Sequence, residues 1–388
     1  MRSALRQELD KIKTGGLYRS LREVSSPQGR EIVLDGNRVL NFCSNDYLGL
    51  SADPRLLAAA QQSLAQRGFG SGSARLVCGN SDEQVLLEKE LARFKKTEAA
   101  LVFSSGYMAN VGILSALCGR EDVIFSDKLN HASIVDGCVL SRAELWRYPH
   151  RDIIALEGLL AKASGFRRKL IVTDTVFSMD GDIAPLKDLV RLAKEYDAWL
   201  MVDEAHAFGI FGPTGGGRVE EEGLGQDVPI QMGTLSKAAG SYGAYVAGSE
   251  ELIDLLINTA RSFIFTTALP PAVAAASRTA LRIIQEEPER RERLRRNADR
   301  LRRELQRLGF DTLERVSPII PVVVGEAEAA VDLSRRLLER GIFVSAVRPP
   351  TVPQGSARLR VTVTAAHTED DITRCVEAFA GVLNGRKA

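Results

Sequence analysis

No apolar run in this chain approaches the roughly 20 consecutive residues that a membrane-spanning helix needs. Neither sign of charge is in excess: 51 lysines and arginines face 50 acids, and a net charge of +1 offers no electrostatic footprint for nucleic acid. The five cysteines, Cys43, Cys78, Cys118, Cys138 and Cys375, share no paired spacing. A disulfide framework or a zinc cluster would group them, so reduced thiols in a cytoplasmic setting are expected, with no metal site. The stretch Met1 to Lys13 mixes Arg2, Arg6, Glu8, Asp10 and Lys11 with few apolar residues, unlike a signal peptide. Internal repeats and low-complexity linkers are missing too, and only four histidines are present. What remains is a chain of 388 residues, long enough for a large core and two lobes.

Its pattern is strongly alternating. Residues 3–12 read as a short amphipathic helix, and 31–42 as a hairpin around Asp35-Gly36. From Asn80 the pattern turns helical. Asn80 or Ser81 can cap, Asp82 and Glu83 suit the positive end of the dipole, and Val85, Leu86, Leu87, Leu91 and Phe94 form the apolar face. Strands are then expected over 99–103, 122–126, 144–148, 170–176, 199–202, 229–232 and 244–247. Helices are expected over 107–118, 131–141, 152–163 and 186–196. Near-continuous apolar strands with helices between them predict a mostly parallel sheet covered on both faces. Ligands of such sheets bind outside the carboxyl ends of the strands.

A helix over 271–286 follows. The stretch 287–308 is dense in arginine, yet its interleaved glutamates and Leu294, Leu301 and Leu305 read as a solvated amphipathic helix rather than an RNA-binding one. Beyond it, strands over 319–324, 342–346 and 358–364 alternate with helices over 328–340 and 369–383. The expected organisation is an N-terminal arm over 1–46, a large domain over 47–285 and a smaller α+β domain over 286–388.

Chemistry gathers where strands end. Gly233-Thr234-Leu235-Ser236-Lys237-Ala238-Ala239-Gly240 sets one lysine among small residues after an apolar run. Alone, this is an ordinary surface lysine. Two upstream stretches change the reading: Trp199 to Val202 runs into Asp203-Glu204-Ala205-His206, and Thr175-Val176-Phe177 into Ser178-Met179-Asp180. Ser104-Ser105-Gly106-Tyr107-Met108-Ala109-Asn110 is a strand-to-helix turn, either plain or an anion site made by its N–H groups. His131 opens a helix, and His150 and His367 match no motif. The run Gly68 to Arg75 is rich in glycine, but no strand precedes it and no Gly-Lys-Ser/Thr closes it, so it reads as a flexible entrance. An amine, a carboxylate, imidazoles and hydroxyls at strand ends are what a pyridoxal phosphate site needs.

These stretches resemble the α-oxoamine synthases, a family of fold type I pyridoxal phosphate transferases. The resemblance runs from Asn41-Phe42-Cys43-Ser44-Asn45-Asp46-Tyr47-Leu48-Gly49 to Arg348-Pro349-Pro350-Thr351-Val352-Pro353. It implies a large, mostly parallel seven-stranded domain, a smaller α+β C-terminal domain and an N-terminal arm. It also implies pyridoxal 5'-phosphate held covalently by Lys237, which later takes the substrate's Cα proton. Asp203 is then the partner of the pyridine nitrogen, His206 of the phenolic oxygen, and His131 stacks on the ring near the substrate. Gly106 and Tyr107 would face the phosphate, with Ser178 and Thr234 as further hydroxyl partners. Thr266 and Thr267 would reach the neighbouring subunit's phosphate in a homodimer. Arg19, Asn45, Arg348 and Thr351 would face the substrate.

The reaction implied is an acyltransfer, the decarboxylative condensation of L-alanine with a pimeloyl thioester, on coenzyme A or acyl carrier protein, in biotin biosynthesis. Glycine C-acetyltransfer, or another pairing of amino acid and acyl-CoA, is the sister possibility. The chain departs from the family's usual residues at Ala74, where a Gly-Gly-Ser run ends, and at Gln84, where a histidine stands.

Overall fold

The computed structural model describes residues 1–15, 18–313 and 316–384. They fall into two compact units. One comprises Asp46–Ser178 and Asp182–Arg293, the other the described parts of Met1–Asn45, Met179–Gly181 and Leu294–Ala388.

The first unit is built on seven strands: β1 (Ala99–Phe103), β2 (Asp122–Asp127), β3 (Glu144–Tyr148), β4 (Arg168–Asp174), β5 (Trp199–Asp203), β6 (Ile230–Thr234) and β7 (Ala244–Gly248). Their order across the sheet is β1-β7-β6-β5-β4-β2-β3, and only β7 runs antiparallel to its neighbours. The expected seven-stranded, mostly parallel sheet is therefore present. Successive strand residues point to opposite faces, and both faces are buried. Ile124, Val172, Met201 and Met232 pack with Ile113, Leu114, Ile134 and Leu256 on one side. Val123, Phe125, Ile171, Leu200 and Val202 pack with Leu156, Leu189 and Leu192 on the other. Burying each such side chain is worth about 1.5–3 kcal/mol, so the sheet is a rigid floor for whatever its ends carry.

Polar residues stop the strands on one edge. Four parallel strands terminate in Asp127, Asp174, Asp203 and Thr234, and β6 continues two residues beyond its expected end towards Lys237. Helix α1 (Asp82–Lys95) starts at Ser81, whose hydroxyl accepts from the Gln84 N–H. Helix α2 (Gly106–Leu117) follows β1, and helix α3 (Ala132–Ser141) follows β2. The glycine-rich run is tied to Thr267–Leu269: Ser71 Oγ donates to the Leu269 carbonyl at 2.5 Å and the Ala268 N–H to the Ser73 carbonyl at 3.0 Å. A short π-helical turn, Arg75–Gly79, follows it.

The second unit has two small sheets. The hairpin Glu31–Leu34 with Asn37–Asn41 turns through Asp35 and Gly36, both at positive φ, and its second strand pairs in parallel with Ile342–Phe343. Ile319–Gly325, Ala357–Thr362 and Ser345–Val347 form an antiparallel sheet. The sequence predicts one strand over 342–346, but the chain changes sheet at Val344. That residue is fully buried, and its carbonyl accepts a 2.6 Å bond from Ser334 Oγ instead of a strand neighbour. The arginine-dense stretch is a helix, Pro288–Arg307, whose Leu301 and Leu305 join Ile320, Leu359 and Phe379 in the core.

Candidate active site

The carboxyl edge of the first unit's sheet brings the sequence motifs together. Asp203 ends β5, and both of its oxygens are occupied. Oδ1 accepts the Ala205 N–H and Oδ2 accepts the Asn110 side-chain amide, each at 2.8 Å. Asn110 lies one turn into α2 and also donates to Ser133 Oγ at 2.9 Å, while its Oδ1 is buried without a partner. Ser133 Oγ lies 2.7 Å from His131 Nδ1. His131 is the N-cap of α3, and its backbone N–H donates to Asp174 Oδ2 at 2.7 Å. A continuous chain of hydrogen bonds thus fixes Asp203 and the His131 ring relative to each other.

Two carboxylates sit side by side here, because Asp174 and Asp203 are in register on adjacent parallel strands. Burial, reinforced by the charge of Asp203, pushes the Asp174 carboxyl well above the usual carboxylate range. His131 remains accessible on one side. Lost solvation nevertheless lowers its pKa; Lys237's charge acts the same way, and Asp203 opposes both.

A second chain reaches the lysine. Tyr47 Oη lies 2.6 Å from His206 Nδ1, and His206 Nε2 lies 2.9 Å from Lys237 Nζ. Tyr47 and His206 are buried, so the imidazole and the amine meet in a largely dry place. Thr234 Oγ1 donates to the Gly243 carbonyl at 2.9 Å and touches Ser236 Oγ at 2.7 Å, which shapes the turn that carries Lys237.

The start of α2 turns backbone N–H groups towards the carboxyl edge of the sheet. Ser105 caps it by accepting the Met108 N–H at 3.2 Å, leaving the amides of Gly106 and Tyr107 outside the helix's own bonds. Gly106 faces Met232, whose Cε would lie 3.3 Å from any Cβ added there. The Tyr107 hydroxyl donates to Asp136 at 2.6 Å. Amine, imidazoles, buried carboxylate and helix start together can hold an anionic aromatic carbonyl compound and move protons beside it. Among the described residues, no group of histidine, cysteine and acid side chains could hold a metal ion.

The family model for class I and II aminotransferases matches residues 37–379. The chain belongs to the class I and II aminotransferase family. Within that family it is 54% identical over 385 residues to an 8-amino-7-oxononanoate synthase of Geobacter sulfurreducens, covering 98% of each chain. It is similar in structure to an S. paucimobilis serine palmitoyltransferase with bound PLP–myriocin aldimine. That match has a TM-score of 0.93 and 34% identity, covering 98% of this chain and 97% of that one. It is also similar to a Francisella tularensis 8-amino-7-oxononanoate synthase, with a TM-score of 0.77 and 33% identity, covering 90% and 99%.

Ser178, Thr266 and Thr267 lie in the same unit as the aminotransferase-family cluster, and Thr267 forms an isolated β-bridge with Ala74. Arg19, Asn45, Arg348 and Thr351 belong to the other unit. There Arg348 donates to the Tyr18 carbonyl at 2.6 Å, and Thr351 is exposed and donates its N–H to the Arg348 carbonyl at 3.1 Å.

Five residues of the cluster carried no role in the sequence: Tyr47, Asn110, Ser133, Asp174 and Ser236. Asn110 had a signal, since it lies one turn beyond Gly106 on the same helix face. Asp174 had one too, as the terminal acid of the strand beside Asp203. Tyr47 had none, being 159 residues from its partner His206.

Proposed function

We propose that this chain catalyses the 8-amino-7-oxononanoate synthase reaction: L-alanine and a pimeloyl thioester give 8-amino-7-oxononanoate, carbon dioxide and free thiol, in biotin biosynthesis. The observation that carries the reading is the Tyr47–His206–Lys237 chain beside an Asp203 held by Asn110, in a protein 54% identical along its whole length to an enzyme of that name. Pyridoxal phosphate is the cofactor, and the residues present fit it. A phosphate, a ring nitrogen and an aldehyde need an anion site, a carboxylate and an amine. This unit offers the Gly106 and Tyr107 amides, Asp203 and Lys237. When bound, the group supplies the electron sink for the carbanion at the amino acid's α-carbon.

The chain's own residues do the rest. Asp203, kept in place by Asn110 and the Ala205 N–H, holds a positive ring nitrogen. His206 would hold the phenolic oxygen, and Tyr47 fixes the orientation of its imidazole. His131, its imidazole held by Ser133, would pack against the cofactor ring. Lys237 Nζ, 2.9 Å from His206 Nε2, would hold the cofactor's carbonyl carbon and, as a free amine, would serve as the base for the substrate's α-proton. Ser178 and Thr234 complete the polar surround. Arg348, with Arg19, Asn45 and Thr351, orients the substrate, the guanidinium suiting a carboxylate through paired hydrogen bonds.

The active form is a homodimer. Exposed Leu76, Val77 and Phe265 support this: the π-helical turn and the segment leading to Thr266 and Thr267 present apolar side chains to the outside. Thr266 and Thr267 reach the neighbouring subunit's phosphate.

The test is thiol release and product mass, measured side by side with alanine and pimeloyl thioester (coenzyme A and carrier protein forms) and with glycine and acetyl-coenzyme A. The expected result is a preference for alanine with pimeloyl thioester. A preference for glycine, or no reaction with pimeloyl thioester in either form, moves the chain to a sister condensation.

A further inference from the structure

His150 belongs to no motif and lies in the first unit outside the site, yet both of its ring nitrogens are engaged by carboxylates. It follows β3, and its Nδ1 lies 3.0 and 3.2 Å from the two oxygens of Asp127, its Nε2 2.7 Å from Asp182 Oδ2. Both carboxylates are almost fully buried, at 2% and 4% side-chain exposure, while the imidazole is a quarter exposed. An ionised carboxylate only accepts hydrogen bonds, and a neutral imidazole has a single N–H to give. With both carboxylates ionised, the two short contacts need the doubly protonated ring. Arg151 NH1, 3.4 Å from Asp182 Oδ2, brings the second positive charge, so two acids and two bases balance. The edge of the Phe177 ring, 4.4 Å away between centroids, completes the surround.

The two acids are where site-bearing loops are anchored. Asp127 also accepts the Leu129 and Arg151 N–H groups at 2.8 Å each, which folds the turn between β2 and His131. The backbone carbonyl of Asp182 accepts the Phe177 N–H at 2.9 Å, and Ile183 bridges Val176, so Asp182 closes the excursion that carries Ser178.

We propose that His150 is a positioning residue: as an imidazolium between Asp127 and Asp182, it straps together the loops that present His131 and Ser178 to the cofactor. The role rests on the site reading above. It needs no contact between His150 and the reacting atoms, only that both nitrogens stay protonated at working pH. The two carboxylates hold the ring's pKa up, to about 9, against the burial that opposes them. A histidine raised in this way strengthens the fold fully below its unfolded value near 6.5 and loses that contribution as pH rises through about 9. Asp127, Asp182 and Arg151 are the charged groups facing it, from the end of β2, the loop after β4 and its own loop.

Two measurements test the strap. In ¹⁵N-histidine-labelled protein without added cofactor, both His150 ring nitrogens should carry protons at pH 7.5 and one should lose its proton near pH 9. A ring already neutral at pH 7.5 overturns the proposal, whatever the cofactor does. Second, pyridoxal phosphate affinity and the visible circular dichroism of the bound cofactor are followed from pH 6 to 10 in wild type, His150→Gln and His150→Arg. Gln can serve only one of the two acids, so His150→Gln should bind about tenfold more weakly, the loss of one charge-assisted bond, with an altered dichroism at pH 7 and no further change near pH 9. His150→Arg, which keeps charge and two donors, should recover most of the affinity and keep it through pH 9. Wild-type affinity and dichroism in His150→Gln overturn the positioning role alone. Wild-type protein that takes up no pyridoxal phosphate overturns the site reading, and the role with it.

Discussion

Asp174, which carries no role in the motifs, has its carboxyl pushed well above the usual carboxylate range. Burial beside Asp203 raises its pKa, so ionising it costs the folded state stability at any pH above the unfolded value near 4. Asp174→Asn keeps an acceptor for the His131 N–H and removes the titration. Its thermal midpoint relative to wild type should therefore rise from pH 4 to pH 8; a gap that closes over that range contradicts this account. Tyr47→Phe removes only a hydroxyl and with it the hydrogen bond to His206 Nδ1. Turnover should fall by about 10- to 100-fold, the worth of one bond to a buried imidazole, with cofactor affinity nearly intact. Stopped assays beside a cofactor titration separate the two effects. At this scale the sequence was legible where a residue sat in a run with a known job, as with Lys237, Asp203 and His206. It was silent where a role is made by distant loops, as with Tyr47, 159 residues from its partner His206.

Strand ends and helix starts place these groups. Ser105 caps the helix whose first amides are proposed to hold the phosphate, so Ser105→Ala should cost about 1 kcal/mol of stability and weaken phosphate binding by the apoprotein. Denaturant midpoints with and without inorganic phosphate measure both, and a phosphate effect equal in the two proteins would detach the cap from the anion site. Behind β5, Lys95 forms a buried ion pair with Glu204 and also donates to the Gly216 carbonyl. Lys95→Met leaves Glu204 charged and unpaired, an expected loss of about 3–5 kcal/mol. A shift below 1 kcal/mol in urea unfolding refutes that role. Element types were readable because both faces of the sheet are covered, which makes each strand a short apolar run. The switch of sheets at Val344 was not, since a carbonyl taken by Ser334 leaves no trace in hydropathy.

For the whole molecule, the fold and family follow from the alternation of strands and helices and from motifs spread along the chain, while the proposal of a homodimer rests on the exposed apolar side chains near Thr266 and Thr267. Val77→Lys combined with Phe265→Glu should leave a folded monomer with little activity, checked by light scattering at assay concentration. A fully active monomer, in the variant or in wild type, contradicts the dimeric site. Arg348→Ala should raise the KM for alanine far more than it lowers kcat, and an effect on kcat alone would remove it from substrate binding. The proposed reaction depends on one amine being the cofactor's attachment point. The direct measurement is borohydride reduction of the protein loaded with pyridoxal phosphate, followed by peptide mass spectrometry. The prediction is a single phosphopyridoxyl group on the peptide containing Lys237, missing from Lys237→Ala; the same group on another lysine, with Lys237 unmodified, contradicts the account.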